Sequence, residues 1–267
     1  MSSVVDRTFA ILELLSTVPD GLSVKAIAEH LDMPPSGTHR LLGQLVQTGY
    51  VSQDRVQGDY GLTMRAAAIG MSFLRRSKVV EITQPILDSI AQEAHELVRL
   101  SVLENDGLIW IGVAQGATVG LRYDPGEDQG QIAHLASSAS GLAWLSTLDD
   151  DAALMRAARA GFQTETSGPN APRGAAELLE RLGETRARGY SIVIESFMAG
   201  MNAMAAPIRH PDNGQGIGTI SISGPSVRFF QSTMEALGPR LMSAAEDLGK
   251  MAYASQFFRR ALSSQAD

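Results

Sequence analysis

Cysteine is absent from the 267 residues. That excludes disulfides, thiol catalysis, zinc–cysteine sites and redox sensing through thiols, and it suits a reducing cytoplasm. Apolar runs approaching the ~18 residues of a membrane span are also missing. No basic-then-apolar leader precedes Val4, so neither secretion nor membrane spanning is expected, and a cytoplasmic location is. Positive charge is scarce: 22 Lys and Arg stand against 29 Asp and Glu, a net charge of −7. This favours solubility and argues against a nonspecific nucleic-acid coat or a polybasic membrane anchor. Catalytic signatures are lacking too. His30, His39, His95, His134 and His210 form no H-x-x-x-H or H-E-x-x-H pair, so no metal is expected. No G-x-S-x-G elbow and no glycine-rich phosphate loop after a strand occurs. Glu93, Glu96, Glu104 and Glu195 lack an evident acid–base partner, and solvated surface is the default for each. Neither an enzyme nor a cofactor is expected.

What is present is organised around residues 34–51. Leu41, Leu42, Leu45 and Val46 recur at helical spacing, so one face of this helix must be buried. Gly37, Arg40, Gln44 and Gln47, at intervals of three, four and three, stack along the exposed face. Pro34 and Pro35 suit the start of the helix and Gly49 its left-handed cap. Upstream, Ser23 caps a short helix with Val24, Ile27, Ala28 and Leu31 inward, and Asp32-Met33 is the tight connection. Two short helices so joined read as a helix-turn-helix. Residues 50–53 and 60–62 are strands around a polar, glycine-containing turn, which makes a wing.

This winged helix-turn-helix is expected to bind double-stranded DNA, with one feature against it. Residues 1–62 hold four basic residues, Arg7, Lys25, Arg40 and Arg55, against seven acidic ones. DNA affinity rests on neutralising phosphates, so a monomer is weakly equipped. Either a second copy doubles the basic surface, aided by Arg65, Arg75, Arg76 and Lys78, or the module contacts protein instead of DNA.

The remaining chain is long enough for one further domain with its own core, and the 44% hydrophobic content is that of a globular protein. A helix over 3–17 buries Val4, Ile11, Leu12, Leu15 and Val18. After the wing, residues 63–77 form a helix with Met64, Ala67, Ala68, Met71 and Leu74 on one side. It has little core to join and is expected to pack against a copy of itself. From residue 79 the pattern mixes helix and strand: a helix to about 97, strands at 98–103 and 108–113 around the hairpin signal Asp106-Gly107, a third strand at 119–123 closed by Asp124-Pro125-Gly126, and helices at 137–148, 152–160 and 175–188. Strands at 190–194, 204–208 and 217–223 follow, then a helix over 229–253 interrupted at Gly238-Pro239. The tail from 254 is polar and expected to fray. No repeat or low-complexity segment occurs.

Taken together, the chain resembles the IclR family of transcriptional regulators over roughly residues 4–250. The resemblance rests on Ser36-Gly37-Thr38-His39-Arg40-Leu41-Leu42, Gly49-Tyr50-Val51, Tyr60-Gly61-Leu62, Ala205-Ala206-Pro207-Ile208 and Ile220-Ser221-Ile222-Ser223-Gly224-Pro225, in that order. It implies an α+β chain: a winged helix-turn-helix domain over 1–62, a linker or dimerisation helix over 63–78, a GAF-like antiparallel-sheet effector domain over 79–253, and a tail. It also implies a homo-oligomer, dimer or tetramer, that binds an operator near catabolic genes and responds to a small organic acid. Ser36, Thr38 and Arg40 match positions that meet DNA, and Gly37, His39, Gln44 and Arg55 complete the expected DNA-facing set. Gly37 replaces the family's usual Thr, and Thr63 its usual Gly.

For the effector, the resemblance points to the segment from His134 through Leu142 and to residues 190–203. Val193 and Ala203 stand where relatives that sense very small keto acids have polar contacts. Burying a small, hydrated acid without partners is unfavourable, so a larger, partly apolar or aromatic carboxylate is expected. Its head group would meet Ser138, Ala139 and Ser140 at a helix start, with Arg122 as a second candidate. Trp110, Leu121, Met201 and Met204 are candidate walls, and Glu195 completes the set. The alternative is a ligand-sensing or protein-interaction module that does not bind DNA.

Overall fold

The computed structural model describes residues 3–54, 58–105, 107–123 and 130–251. The chain divides into two compact units between Arg76 and Ser77.

In the first unit, α1 (Val4–Ser16) opens on a capping box. The Ser3 hydroxyl accepts from the Asp6 amide, and the Asp6 carboxylate accepts from the Ser3 amide. Ser23 caps α2 (Val24–His30) through the Ala26 amide. Asp32, at φ 48°, makes the sharp connection to α3 (Pro35–Gln47). Strands β1 (Val51–Gln53) and β2 (Tyr60–Leu62) pair antiparallel, Val51 opposite Leu62. The core gathers Ile11, Leu15, Ile27, Met33, Leu41, Leu42, Leu45, Val51 and Tyr60. Among the expected core residues, Val4 is 50% and Val46 38% exposed. Both sit in terminal turns, where the helix runs past the small core.

The unit ends in α4 (Met64–Ser77), one residue shorter than expected. Thr63 fastens its start. The Thr63 hydroxyl donates to the Gly49 carbonyl at 2.6 Å and accepts from the Arg65 amide, and the Thr63 amide donates to the Tyr50 carbonyl. Within α4 only Ser77 is buried, while Met64, Ile69, Met71 and Phe73 are each more than half exposed.

The second unit is built on a five-stranded antiparallel sheet ordered β4-β3-β7-β6-β5. Its strands are β3 (Leu97–Glu104), β4 (Gly107–Gln115), β5 (Ser191–Ile194), β6 (Met201–Arg209) and β7 (Gly216–Pro225). Helices α5 (Val79–Ala94) and α9 (Gln231–Lys250) touch each other and pack on one face. On the other, α6 (Ala139–Leu145) packs against β5, β6 and β7, backed by α7 (Asp150–Ala160) and α8 (Ala175–Arg188). With both faces covered, β3, β6 and β7 are buried along nearly their whole length. Bidentate contacts of 2.5 and 2.8 Å from Arg228 reach the buried Glu96 carboxylate, tying the start of β3 to the segment after β7. Pro239 lies inside α9 as expected.

The expected strand at 119–123 is not a strand. The segment leaves the sheet after β4, turns at Gly120 (φ 77°) and exposes Val119 and Leu121. The outer edge of β4 is occupied instead by residues 130–133. Trp110 donates its amide to Gln131, Gly130 to Trp110 and Ala133 to Leu108, which protects an edge that would otherwise be open to pairing. Asp106, the stretch 124–129 and the tail from 254 lie outside the described residues.

Candidate functional site

The first unit offers one polar helix face. Leu41, Leu42 and Leu45 anchor α3 in the core, and that anchoring turns Ser36, His39, Arg40, Gln44 and Gln47 to solvent. Among the described residues, Arg40 has neither a hydrogen bond nor an ion pair, so its five donors face water. Gly37 is half-buried, and a side chain added there would meet nothing within 4 Å. The helix surface is therefore locally flat beside Arg40. A guanidinium flanked by a hydroxyl, an imidazole and an amide can donate to base edges or to phosphates.

Thr38 corrects the expectation. It is fully buried, and its hydroxyl donates to the Pro34 carbonyl at 3.2 Å. Its methyl belongs to the core side of α3, so it cannot reach a groove. Arg55 lies outside the described residues.

The second unit has a small cavity of about 10 Å³ between α6 and the sheet, room for at most about one water. Its walls are Arg99, Trp110, Ser138, Ala139, Ser140, Phe197, Met201, Ala203, Ser221 and Ser223. Six expected effector residues meet here: Trp110, Ser138, Ala139, Ser140, Met201 and Ala203. Four do not. Leu121 is 65% exposed, and only its backbone carbonyl is engaged, by Arg228. Arg122 is exposed beside it, in a segment that never joins the sheet. Val193 is opposite Ala203 in the β5–β6 register but packs into the core beneath α6. Glu195 sits in a turn at φ 45° after β5, outside the lining.

The most consequential wall residue, Arg99, was not singled out by sequence reasoning. It lies on β3 opposite Ser221, only 4% exposed, and donates from Nη2 to the Ser223 hydroxyl at 3.1 Å. Its Cζ lies 4.3 Å from the centroid of Trp110 and 5.6 Å from that of Tyr123, contacts that favour a cation over an aromatic face. Phe197 meets Trp110 edge-on at 5.8 Å. A signal existed in the sequence: one arginine inside the otherwise apolar or small run LVRLSVL. Ser221 and Ser223 were visible only as family motif.

These walls change the expected chemistry. Val193 and Ala203 are apolar, yet the walls of the cavity carry polar groups, because Arg99, Trp110, Ser221 and Ser223 arrive from other strands. The Ser138 hydroxyl is already committed, accepting from the Gly141 amide as the cap of a seven-residue helix. Among the described residues, the buried Trp110 Nε1 and Ser221 Oγ on the walls have no hydrogen-bond partner.

His134 faces elsewhere. It lines a separate open groove of about 550 Å³ with Glu104, Ile132, Arg156 and Arg159. Its Nδ1 pairs with the Ser137 hydroxyl at 2.7 Å. Burial lowers its pKa below the ordinary histidine value, opposed by the nearby Ala160 and Gly161 carbonyls. Among the described residues, no group of His, Asp or Glu is arranged to hold a metal ion, and no helix is long and apolar enough to cross a membrane.

Comparison with known proteins agrees with this geometry. A family model described as the IclR C-terminal region of bacterial transcriptional regulators matches residues 71–250, and one for the IclR helix-turn-helix domain matches 4–55. The HTH-type transcriptional regulator BhcR of Paracoccus denitrificans is 32% identical over 247 residues, covering 91% of this chain and 85% of its own. A crystal structure of an IclR transcriptional regulator from Alicyclobacillus acidocaldarius superposes with a TM-score of 0.78 at 22% identity, covering 92% of this chain and 97% of its own. An IclR homologue from Microbacterium hydrocarbonoxydans, complexed with 4-hydroxybenzoate, gives 0.68 at 20%, covering 93% and 99%. The two structural likenesses are likenesses of fold.

Proposed function

The chain belongs to the IclR family of bacterial transcriptional regulators, and on that premise we propose that it binds operator DNA of catabolic genes as a homo-oligomer and releases or tightens it on binding a small organic acid. The family supplies the coarser part: a helix-turn-helix DNA-binding domain joined to a ligand-binding C-terminal domain, in proteins that regulate transcription. The finer part rests on one observation. A buried guanidinium, Arg99, lines a small cavity whose described walls include no carboxylate, and such a site favours an anion.

Phe197, Met201, Ala139 and Ala203 give the same cavity an apolar side, which supports a partly apolar or aromatic body on the acid. That the fold accommodates such a ligand is supported by the Microbacterium hydrocarbonoxydans protein with its 4-hydroxybenzoate. Oligomer formation is supported by α4, whose exposed Met64, Ile69, Met71 and Phe73 suit packing against a second copy. A second copy also answers the shortage of positive charge in residues 1–62.

That same shortage favours the competing reading, a ligand-sensing module that contacts protein and not DNA. Binding of the purified protein to its own upstream intergenic DNA across a salt series, with and without aromatic carboxylates, separates the two. A steep salt dependence with a ligand-induced change is the expected result. Absence of specific binding at every salt would favour the protein-contact module.

A further inference from the structure

Between the end of α3 and the start of α4 the chain makes the whole excursion of β1 and β2, yet the two helix ends are fastened to each other. The Thr63 hydroxyl donates to the Gly49 carbonyl at 2.6 Å, and the Thr63 amide to the Tyr50 carbonyl at 3.0 Å. The same hydroxyl accepts from the Arg65 amide at 3.3 Å, the bond of a helix cap. One oxygen thus serves the start of α4 and the residue just past α3 together. Arg65 adds a second tie. Its Cζ lies 5.2 Å from the centroid of the Tyr50 ring, and its Nη1 would stand 3.2 Å from a Cβ built on Gly49. Gly49, at φ 78°, and Tyr50 are themselves bound to α3, donating their amides to the Val46 and Leu45 carbonyls in the manner of a left-handed helix cap. A rotation of α4 is therefore passed on to α3 and not absorbed between them.

We propose that Thr63 and Arg65 are positioning residues that fix the recognition helix α3 to the oligomerising helix α4 and so set the spacing at which two copies of the protein read their half-sites. This rests on the operator-binding homo-oligomer proposed above and deepens it. In a dimer joined through α4, the separation and angle of the two copies of α3 follow from the α4 seam and from this junction. Symmetry-related recognition helices meet half-sites at a set distance along the duplex. One inserted base pair shifts a half-site by about 3.4 Å and turns it by about 35°. A stiff junction cannot follow that shift, whereas a loose one can.

The test measures the affinity of the full-length protein for the DNA it protects upstream of its own gene, at the native spacing and with one base pair inserted or removed at the centre. For the wild type, either change is expected to weaken binding by about 30-fold. Thr63→Val, which keeps nearly the same shape without the hydroxyl, is expected to bind the native spacing within about threefold of the wild type and to lose only about threefold on insertion. Thr63→Ser should restore the wild-type discrimination. Arg65→Ala, at an exposed position, should loosen the spacing with the Thr63 bonds in place, and it covers the case in which the valine variant does not fold. A purely structural role would lower affinity equally at every spacing, and that result overturns the proposal. Undiminished discrimination in both Thr63→Val and Arg65→Ala, or a wild type indifferent to spacing, overturns it too and leaves operator binding standing. If the wild type protects no DNA at any salt, the operator-binding reading falls and takes the proposal with it.

Discussion

The two units carry the cation proposed for their function in opposite ways. Arg40 stands on the surface of α3 in full contact with water, whereas Arg99 is shut inside the sheet against Trp110. A cation that meets a polyanion can stay hydrated, since many phosphates share the attraction and salt sets its strength. A cation that selects one small molecule gains discrimination from desolvation, because an unmatched charge is then expensive. In the first unit, function and stability are separable. In the second they share atoms.

That contrast is tested most harshly at Gly116. A Cβ there would stand 1.9 Å from the Ala91 carbonyl oxygen, so Gly116→Ala is expected to cost about 3 kcal/mol or more. Both tryptophans, Trp110 and Trp144, belong to the second unit, so urea unfolding followed by their fluorescence reads that unit alone. Next is Arg228→Met, which strands the buried Glu96 carboxylate and should cost about 3 kcal/mol by the same readout. A loss no larger than for an ordinary surface substitution would mean that Glu96 finds water.

Arg40→Ala sharpens the comparison from the other side. Operator affinity should fall by about 10- to 100-fold with the first unit's stability, read by amide hydrogen exchange across α1, α2 and α3, unmoved, and a matching loss of protection would contradict the separation. Thr38→Val should cost about 1 kcal/mol through the lost bond to Pro34 and leave the preferred operator sequence unchanged. A shifted base preference would return Thr38 to the DNA. The smallest effect belongs to His134. Because its folded pKa is lowered, the unfolded chain binds the proton more readily, so stability is complete above the ordinary histidine value and declines as pH falls through it towards the lower folded value. His134→Gln should flatten that decline in urea midpoints measured from pH 7 to 5.

The same contrast explains what could be read beforehand. The exposed face of α3 was legible because its residues follow one another at helical spacing, and α8 was legible from end to end, residues 175–188, for the same reason. The cavity was not. Arg99 and Ser223 are 124 residues apart in the chain, and only the strand order β4-β3-β7-β6-β5 brings them together. Reading the pocket from residues 134–142 and 190–203 found the near walls and missed the charged one. Leu121 and Arg122 failed because alternation suggested a strand, while the edge beside β4 is taken by residues 130–133. Thr38 failed because a polar residue at a DNA-facing motif position was assigned outward, while the turn of the helix put its methyl against the core.

A cavity with space for one water has a kinetic corollary. An acid larger than water enters only during moments when Phe197, Met201 or α6 has moved aside, so the frequency of those openings caps the rate of arrival. Stopped-flow traces should then show an observed rate that levels off as the acid concentration rises, where a standing pocket would give a straight line. The plateau is a property of the protein alone and would be the same for every acid that fits. The second unit would thus set the pace of the response before any ligand has been chosen.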